Sequence, residues 1–484
     1  MRLKHFFINK IAHSSYLLVG NETCAVIDPQ RDVDLYINQA RTLGVDITHI
    51  FQTHLHADFI SGHMDLAEIT GAKIYAPKSA NCTFEHIGLS EGDTVEIEHM
   101  VLNVIETPGH TPEHLCYVVV DRSRGKSPIG VFVGDTLFVG DVGRPDLFPD
   151  MAVELAGKLF HSLHDKLMKL PDYCEVYPAH GAGSLCGRAM GAKWVTTIGY
   201  ERKFNPALQI RDRDAFIKSL TEDMPPAPDH FGRSSDINRV GPARIAELST
   251  MEELSVSQFK QRIDEPNFEV LDTRNYLAFG SQHIPKAWHL DLNGNFPTFA
   301  GWVLPTDKDF LLVADDYDKA LMSNTWGRRV GVDRIVAYLD GGMTAWAVTG
   351  QKTSSIPQIS AETLHDMVTG TTSFVLLDVR APAEYEDSHI AGAVNIPVAD
   401  LRTRYKELNK DLPNILICSS GNRSSLGTSI LRQYGFEKLY NVFGGMTGYS
   451  AAGYARECRV CENPHGSRFF TKVNPVKKHW DSNK

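Results

Sequence analysis

The chain has 484 residues, a length that predicts about three domains at ~150 residues each. Hydrophobic residues make up 42% of it and charged residues 22%, which are globular values and exclude a disordered, collagen-like or coiled-coil chain. Its formal charge of -10 has the wrong sign for a protein that binds nucleic acid by neutralising phosphates. No run approaches the ~18 apolar residues of a membrane helix, and the opening residues are too polar for a signal peptide, so we expect a cytoplasmic protein without a membrane partner.

Residues 1 to about 220 alternate short β-branched runs with helical segments, a pattern that predicts a mixed α/β domain. Within this part, residues 151–170 carry leucines at helical spacing, and Pro171 ends the predicted helix. Clustered Pro, Gly, Ser and charged residues at 222–243 sustain neither a helical nor a strand period. We therefore predict a linker there.

Beyond the linker the chain repeats itself. LDTR at 271–274 matches LDVR at 377–380, and GGMTAW at 341–346 matches GGMTGY at 444–449. Two copies of roughly a hundred residues, each alternating strand and helix patterns, predict two small open parallel sheets. The expected divisions are a first domain at 1–235 that includes the start of the linker, two repeated domains at 246–352 and 357–455, and a tail at 456–484.

Polar residues follow four apolar strands of the first domain, where side chains converge on one rim of a sheet. They lie in THLHAD at 53–58, TPGH at 107–110, GD at 134–135 and PAH at 178–180. Imidazoles and carboxylates are common ligands of divalent metals. Four such strand ends in succession indicate a metal site rather than scattered surface histidines.

These motifs resemble the metallo-β-lactamase superfamily over about the first 220 residues, through its THxHxDH signature. The resemblance implies an αββα sandwich. One position departs from the signature, because Phe59 stands where the hydrolases of the superfamily carry a histidine that helps hold a second metal. A phenyl ring donates no electron pair to a metal, so a strong second site with Asp58 and His180 is not expected.

The domain is similar to the persulfide dioxygenases of this superfamily. That similarity implies one Fe²⁺ per chain, held by His54, His110 and Asp135. Two imidazoles and one carboxylate with open positions are typical of non-haem iron oxygenases, whereas structural zinc has four ligands. The implied reaction converts a thiol persulfide, O2 and water to the thiol and sulfite, with persulfide and O2 brought together at the open positions.

The roles of several neighbouring residues stay open at this point. Three of them either orient the ligands and pass protons or have only structural roles. They are His56, Asp58 and His180. Arg144 lies in GRPD, which resembles the GRxD segment beside the thiol substrate of these dioxygenases; it either binds an anionic substrate group or pairs with Asp146. Cys186 is either a buried inert thiol or a sulfur relay near the metal.

The eight cysteines of the chain are too sparse for a disulfide scaffold, which favours thiol chemistry for any special cysteine. An apolar strand at 414–417 runs directly into CSSGNRS at 418–424 and then into a helical stretch. Small residues let such a loop curl so that backbone N–H groups point at the cysteine sulfur. We expect this field to lower the pKa of Cys418 and to hold a thiolate or a persulfide anion.

Residues 357–455 are similar to rhodanese, through CxxGxRS, LDVR and HIAGAVNIP. Cysteine phosphatases with a related loop have five residues between Cys and Arg, whereas this loop has four, which favours sulfur over phosphate. The similarity implies that Cys418 accepts a sulfane sulfur and passes it to a nucleophile such as sulfite, while Arg423 holds the anion. The other residues expected to bind the substrate are Ser419, Ser420, Gly421, Asn422 and Ser424.

A count back by 103 residues, the offset between the two GGMT segments, puts Asp315 opposite Cys418 and Ala320 opposite Arg423. Aspartate cannot form a persulfide, so we interpret the first copy as a structural domain, either a spacer or a docking surface. In the tail, the lone CxxC that ends at Cys461 has too few ligands for a zinc site.

Together the three parts resemble the bacterial fusion of a persulfide dioxygenase with tandem rhodanese domains. The resemblance implies small-molecule partners (a thiol persulfide, O2 and sulfite), a homo-oligomer, and thiosulfate as the product of sulfide detoxification. Two alternatives remain. One is a dinuclear zinc thioester hydrolase of the glyoxalase II type with an accessory sulfurtransferase domain; the other is a non-catalytic sulfur carrier or docking protein. Phe59 argues against the first, and the Cys418 loop argues against the second.

Overall fold

The structure, a computed structural model, describes residues 2–188, 190–222, 224, 227–294 and 296–458. Most of the expected tail, including Cys461, lies outside the described residues. The chain divides into two compact units, one of Met1–Leu248 with Thr325–Asp333 and one of Ser249–Asn324 with Arg334–Lys484. Within the described part of the chain, no helix is both long and apolar enough to cross a membrane.

Two six-stranded sheets form the centre of the first unit. The strands of the first sheet are neighbours in chain order: β1 (Arg2–Ile8), β2 (His13–Val19), β3 (Thr23–Ile27), β4 (Asp46–Phe51), β5 (Lys73–Pro77) and β6 (Ile87–Leu89). The next strands along the chain are β7 (Thr94–Ile97), β8 (Met100–Glu106), β9 (Leu115–Asp121), β10 (Pro128–Gly134), β11 (Leu137–Phe138), β12 (Asp141–Val142), β13 (Glu175–Pro178) and β14 (Thr196–Thr197). Strands β11 and β12 pair with each other, and the second sheet has the order β14-β13-β10-β9-β8-β7.

Helices accompany both sheets of this unit. They are α1 (Asp34–Leu43), α2 (His63–Thr70), α3 (Ala152–His161), α4 (Ile198–Phe204), α5 (Pro206–Gln209), α6 (Arg213–Thr221) and α7 (Phe231–Val240). Along β2, Tyr16 and Leu18 belong to the core between the two sheets, whereas Leu17 and Val19 pack with buried residues of α1 and α2. The other face of the second sheet packs on α3 to α6. The expected αββα sandwich is confirmed.

The segment expected to be an irregular linker, 222–243, contains helix α7 instead. This helix has no apolar stripe, and much of its attachment to the first unit is polar. The Asn238 side chain donates to the carbonyl oxygens of His56 and Phe59, both at 2.8 Å, and accepts the N–H of Ser61 at 2.9 Å. The prediction was wrong here because hydrogen-bonded attachment leaves no periodic apolar pattern in the sequence.

The second unit contains two five-stranded sheets in which all pairings are parallel. Its strands are β15 (Glu252–Leu254), β16 (Phe268–Asp272), β17 (Trp288–His289), β18 (Asp309–Val313), β19 (Ile335–Leu339), β20 (Gln358–Ile359), β21 (Val375–Asp378), β22 (Ser388–His389), β23 (Val394–Asn395), β24 (Asn414–Ile417), β25 (Leu439–Val442) and β26 (Glu457–Cys458). The sheet orders are β15-β19-β18-β16-β17 and β20-β25-β24-β21-β23. The predicted pair of open parallel sheets is confirmed.

Helices connect the parallel strands of both copies. They are α8 (Val256–Ile263), α9 (Tyr276–Ser281), α10 (Phe296–Val303), α11 (Tyr317–Arg329), α12 (Gly342–Val348), α13 (Ala361–Thr369), α14 (Pro382–Asp387), α15 (Leu401–Arg404), α16 (Asn422–Gln433) and α17 (Gly445–Ala451). Parallel neighbours require such crossover connections, which explains why strand and helix patterns alternate in this part of the sequence.

The sheet registers align the two copies more closely than the repeat offset does. The last residue of β16 pairs with Val313, and the last residue of β21 pairs with Ile417. Ala314 therefore lies opposite Cys418, and the sequence-based placement of Asp315 there was wrong by one position because the connecting loops differ in length. Neither residue carries a thiol, so the first copy still cannot form a persulfide.

Helix α3 offers a matched test of the packing in the first unit. Leu159 is fully buried in the core cluster under the second sheet, whereas Val153 on the same helix is 62% exposed. We expect Leu159→Ala to lower the free energy of unfolding by about 2–5 kcal/mol, because it removes buried methyl groups and leaves a cavity. Val153→Ala should change it by less than about 0.5 kcal/mol. Urea denaturation of the two variants measures the difference, and equal effects would contradict this account of the core.

Candidate functional site

Three of the expected metal ligands converge at one rim of the sandwich. His54 follows β4, His110 follows β8 and Asp135 follows β10, and the ligand atoms of all three lie within 4.8 Å of one another. Oδ2 of Asp135 lies 3.3 Å from Nε2 of His110 and 3.8 Å from Nε2 of His54. All three side chains are buried. The strand ends thus bring together residues that are far apart in the sequence.

None of these three ligand atoms has a hydrogen-bond partner among the described residues, although all are buried. A buried polar atom without a partner costs about 1–3 kcal/mol. A cation held at the point on which the three atoms converge would satisfy all of them at once. Two imidazoles and one carboxylate form a donor set that fits Fe²⁺ and also occurs at catalytic Zn²⁺ sites.

Hydrogen bonds turn both imidazoles toward this point. Nδ1 of His110 lies 2.9 Å from the carbonyl oxygen of Arg144, which can only accept, so Nδ1 donates. Nδ1 of His54 lies 2.9 Å from Oγ1 of Thr53, whose hydroxyl itself donates to Asp28 at 2.9 Å. Both Nε2 atoms therefore keep their lone pairs for a metal. Burial lowers the pKa of both histidines, which favours the neutral form that binds metals.

His180 lies between two carboxylates. Its Nδ1 donates to Oδ1 of Asp135 at 2.7 Å, and its Nε2 lies 2.9 Å from Oδ2 of Asp58. Burial opposes a charged imidazole, but the two carboxylates outweigh it and raise the pKa of His180 well above its usual value. Ligand atoms of Asp58, His180 and Cys186 form a second buried group, all within 4.8 Å of one another.

His56 and Phe59 belong to neither group. Nε2 of His56 lies 3.1 Å from Oδ1 of Asp28. The ring of Phe59 is fully buried and packs against His56 and His13, with ring centroids 4.4 Å and 4.0 Å apart. The role of His56 stays a prediction.

Arg144 is buried, and its guanidinium is already occupied. It forms a two-pronged ion pair with Asp146 at 2.6 and 2.7 Å and donates to the carbonyl oxygen of Leu185 at 3.0 Å. Of the two alternatives for this residue, the structure shows the pairing with Asp146. Its backbone also contributes to the metal site through the bond to His110.

Sequence reasoning missed His114, which holds Asp135 in place. Nε2 of His114 accepts the backbone N–H of Asp135 at 3.0 Å, and its ring stacks on that of His54. Gly134 lets them approach this closely, because it has φ 49° and a Cβ there would lie 2.5 Å from Nε2 of His114. The only signal for His114 in the sequence was its position four residues after His110.

Cys418 lies at the end of β24, buried under the loop that leads into α16. Its Sγ accepts the backbone N–H of Gly421 at 3.1 Å. The Ser424 hydroxyl lies 3.3 Å from Sγ and 3.1 Å from the carbonyl oxygen of Gly421, so both compete for its one proton. Gly421 has φ 108°, a conformation that favours glycine. The loop therefore curls around the sulfur as the sequence predicts, with donors aimed at it.

Arg423 is paired with Glu384, which the sequence did not single out. The guanidinium donates to both carboxylate oxygens of Glu384 at 2.6 and 2.7 Å, and to the Ser419 hydroxyl at 2.7 Å. The Ser419 hydroxyl donates in turn to Glu384 at 2.9 Å. This network fixes the guanidinium beside the Cys418 loop.

A cavity of about 250 Å³ opens beside this loop within the second unit. Its lining combines residues of both copies: Leu290, Asp291, Gly294, Phe296 and Phe299 from the first, and Ser420, Asn422, Arg423 and Leu426 from the second. In addition, the ring of Tyr276 packs on Gly421, since a Cβ there would lie 2.8 Å from it. The first copy thus forms one wall of the cavity, which goes beyond the spacer role expected for it.

Comparisons with known proteins agree with this architecture. A family model described as "Metallo-beta-lactamase superfamily" matches residues 9–180, and one described as "Rhodanese-like domain" matches residues 255–349 and 360–452.

The chain covers most of the length of two curated relatives and of one solved structure. The chain is 31% identical to "Persulfide dioxygenase ETHE1, mitochondrial" of Mus musculus, over 47% of this chain and 83% of that protein. It is 35% identical to "Hydroxyacylglutathione hydrolase" of Rhizobium johnstonii, over 39% of this chain and 78% of that protein. The crystal structure of a metallo-beta-lactamase from Staphylococcus aureus subsp. aureus COL matches with a TM-score of 0.63 and 31% identity, over 70% of this chain and 98% of that chain. The chain therefore belongs to the metallo-beta-lactamase superfamily, is related in that domain to persulfide dioxygenases and to hydroxyacylglutathione hydrolases, and carries two rhodanese-like domains behind it.

Proposed function

We propose that the protein is a non-haem iron persulfide dioxygenase coupled to a rhodanese-type sulfurtransferase, acting in sulfide detoxification. The main support is that buried atoms of His54, His110 and Asp135, which lack hydrogen-bond partners among the described residues, converge on one point. The chain also has persulfide dioxygenase relatives. Bound Fe²⁺ supplies open positions at which a persulfide sulfur and O2 react. The balanced reaction is RSSH + O2 + H2O → RSH + SO3²⁻ + 2H⁺.

The residues around this point orient the two imidazole ligands before a metal binds. Arg144 and Thr53 hold the two imidazoles as donors at Nδ1, so no rearrangement is needed for Nε2 to bind a metal. Burial opposes ionisation of Asp135, but the neighbouring His180 holds the pKa of this carboxyl below its usual range. Asp135 therefore carries the negative charge that offsets the charge of a divalent ion.

The Cys418 loop suits the second activity. Donors from Gly421 and Ser424 would hold a persulfide anion formed on Cys418. A second thiol persulfide supplies the outer sulfur and leaves as the thiol, RSSH + Cys–S⁻ → RSH + Cys–S–S⁻. Attack by sulfite on that sulfur breaks the S–S bond, so that Cys–S–S⁻ + SO3²⁻ → Cys–S⁻ + S2O3²⁻. Both activities lie on one chain, and we propose that the sulfite released in the first step is the acceptor in the second.

Of the two roles left open for Cys186, we favour the inert thiol. The side chain is buried, and burial raises the pKa of its thiol well above the usual value, whereas a relay acts as a thiolate. Five further cysteines are also free thiols, which agrees with the reducing cytoplasm that we propose as the location of the protein. They are Cys24, Cys82, Cys116, Cys174 and Cys418. The homo-oligomer stays a prediction that light scattering in solution can test.

A zinc thioester hydrolase is the second candidate, because hydroxyacylglutathione hydrolases are among the relatives. It would require two zinc ions and no O2. The absence of an imidazole at Phe59 weighs against it. An oxygen electrode, with thiol persulfides and glutathione thioesters offered in turn, distinguishes the two functions.

Replacing the sulfur acceptor should separate the two steps. We expect Cys418→Ser to form sulfite with O2 at the wild-type rate but to release no thiosulfate, because serine cannot carry a sulfane sulfur. Ion chromatography of both products measures this, with Cys82→Ser as the control because Cys82 lies outside both sites. Unchanged thiosulfate output from Cys418→Ser would refute the handoff.

Removing one metal ligand should abolish the oxidation of persulfide and leave the sulfur transfer intact. His110→Ala should lower the iron content below about one tenth of wild type and abolish persulfide-dependent O2 uptake. Sulfur transfer from thiosulfate through Cys418 should persist, since that loop is in another domain. His99→Ala is the control, because His99 lies away from the site and is partly exposed. A His110→Ala variant that keeps both iron and O2 uptake would contradict the assignment.

The ion pair at the Cys418 loop predicts a pH dependence of stability. Burial opposes ionisation of Glu384, but Arg423 and Ser419 outweigh it and lower the pKa of Glu384 from 4.5 to about 2. A depressed carboxyl pKa stabilises the fold above the unfolded value of 4.5, and this contribution is lost as the pH falls toward about 2. Glu384→Gln should therefore have a lower free energy of unfolding than wild type at pH 7. This difference should become smaller below about pH 4.5. Urea denaturation across this range tests it, and exposed Glu362→Gln should show no such gap.

A further inference from the structure

The cavity of about 250 Å³ beside the Cys418 loop has side chains of opposite charge in its two walls. Arg423 belongs to the wall from the second copy, and Asp291 belongs to the wall from the first. Four apolar side chains also line the cavity: Leu290, Phe296, Phe299 and Leu426. A largely apolar lining with a few polar groups is typical of sites for small organic molecules rather than for inorganic anions alone.

The positive charge of Arg423 is offset by a carboxylate of its own copy. Its guanidinium donates to both oxygens of Glu384, at 2.6 and 2.7 Å. Among the described residues that line the cavity, Arg423 is the only cation, so the charge of Asp291 is not offset in the same way. When Cys418 is a thiolate, negative charges therefore outnumber positive ones at this site. The electrostatic potential of the cavity favours a ligand that carries a positive charge.

Asp291 lies on a hydrogen-bonded turn close to the reacting sulfur. Its Oδ1 accepts the backbone N–H of Asn293 at 2.8 Å, and its carbonyl oxygen accepts the N–H of Gly294 at 2.9 Å. Burial and, to a smaller extent, the negative charges of Cys418 and Asp291 raise the pKa of Tyr276. Both groups therefore lie near the same phenol, whose ring packs on the Cys418 loop. We expect a short ligand held by Asp291 to reach Cys418.

The second copy supplies a further acceptor at the cavity. Oδ1 of Asn422 is buried and has no hydrogen-bond partner among the described residues. A Cβ at Gly294 would lie 3.4 Å from Nδ2 of Asn422, so this amide lies against the turn that holds Asp291. A buried acceptor of this kind calls for a donor on the ligand. An ammonium group has three donors and no acceptor, and it suits both the amide oxygen and the carboxylate.

We propose that Asp291 and Asn422 bind the ammonium group of a small aminothiol persulfide, and that this persulfide is the sulfur donor to Cys418. The ammonium lies a few bonds from the sulfur, because the ligand must reach from Asp291 to the Cys418 loop. The sulfur transfer is the one written above for Cys418, and the ammonium passes through it unchanged. The proposal rests on that part of the proposed function. It makes the first copy, which has no thiol of its own at this loop, the part that selects the donor.

The test compares two donors of equal size, the persulfide of cysteamine, which carries an ammonium, and that of 2-mercaptoethanol, which carries a hydroxyl. Thiosulfate formed from each donor and sulfite by full-length protein is measured without O2, with Cys418→Ser as the blank. The ratio of the two kcat/KM values, ammonium donor over hydroxyl donor, should fall about 10-fold in Asp291→Asn, because a charged hydrogen bond is lost. The change should lie mainly in the KM of the ammonium donor. Comparing ratios between variants removes the difference in intrinsic reactivity of the donors.

Two further variants separate recognition from folding. Asp307→Asn removes an exposed carboxylate of the same copy and should keep the wild-type ratio. Asp291→Glu keeps the charge and should give a higher ratio than Asp291→Asn, which a purely structural role would not produce. An Asp291→Asn variant that forms thiosulfate with the wild-type ratio, or that loses activity equally with both donors, would overturn this assignment alone. Wild-type protein that forms no more thiosulfate than Cys418→Ser from either donor would overturn the proposed sulfur transfer and this assignment together.

Discussion

The carboxylate of Asp135 serves two sets of neighbours at once, and the arrangement of the first domain's rim depends on this sharing. Oδ2 lies beside the two imidazoles that face the metal point, while Oδ1 accepts the hydrogen bond of His180. The backbone under it is set by His114 and by the close approach that only Gly134 allows. The hydrogen bond from His180 holds Oδ1, and this leaves Oδ2 directed at the point on which the Nε2 atoms of His54 and His110 converge.

Much of this arrangement was predictable because it follows from strand ends. Parallel and mixed sheets gather the residues that follow their strands, so the polar strand ends could be grouped from sequence motifs. The resemblance to persulfide dioxygenases then singled out His54, His110 and Asp135. Contacts without such a pattern were not predictable. Helix α7 is attached through the amide of Asn238, and Glu384 reaches Arg423 across 39 residues of sequence. Neither contact leaves a periodic signal, and a loop-length difference likewise displaced the alignment of the two copies by one residue.

The comparison of the two rhodanese-like copies separates what the fold requires from what chemistry requires. Both keep five parallel strands, a loop after the equivalent strand, and a glycine whose Cβ would collide with the carbonyl oxygen at the loop's first residue, Gly342 over Ala314 and Gly445 over Cys418. Only the second keeps the thiol and the arginine. The first copy instead lines the cavity beside the Cys418 loop, for example through Asp291, and the ring of its Tyr276 packs on Gly421 of that loop.

The two copies also differ in the charge of this loop, because acidic residues follow Ala314 in the first copy. Asp315 and Asp316 are exposed where the second copy has two serines after its cysteine. Asp316 also accepts the backbone N–H of Lys319 at 2.8 Å, and the two carboxylates together repel anions from this loop. The equivalent loops of the two copies therefore differ in charge, and an anion is disfavoured at the loop of the first copy.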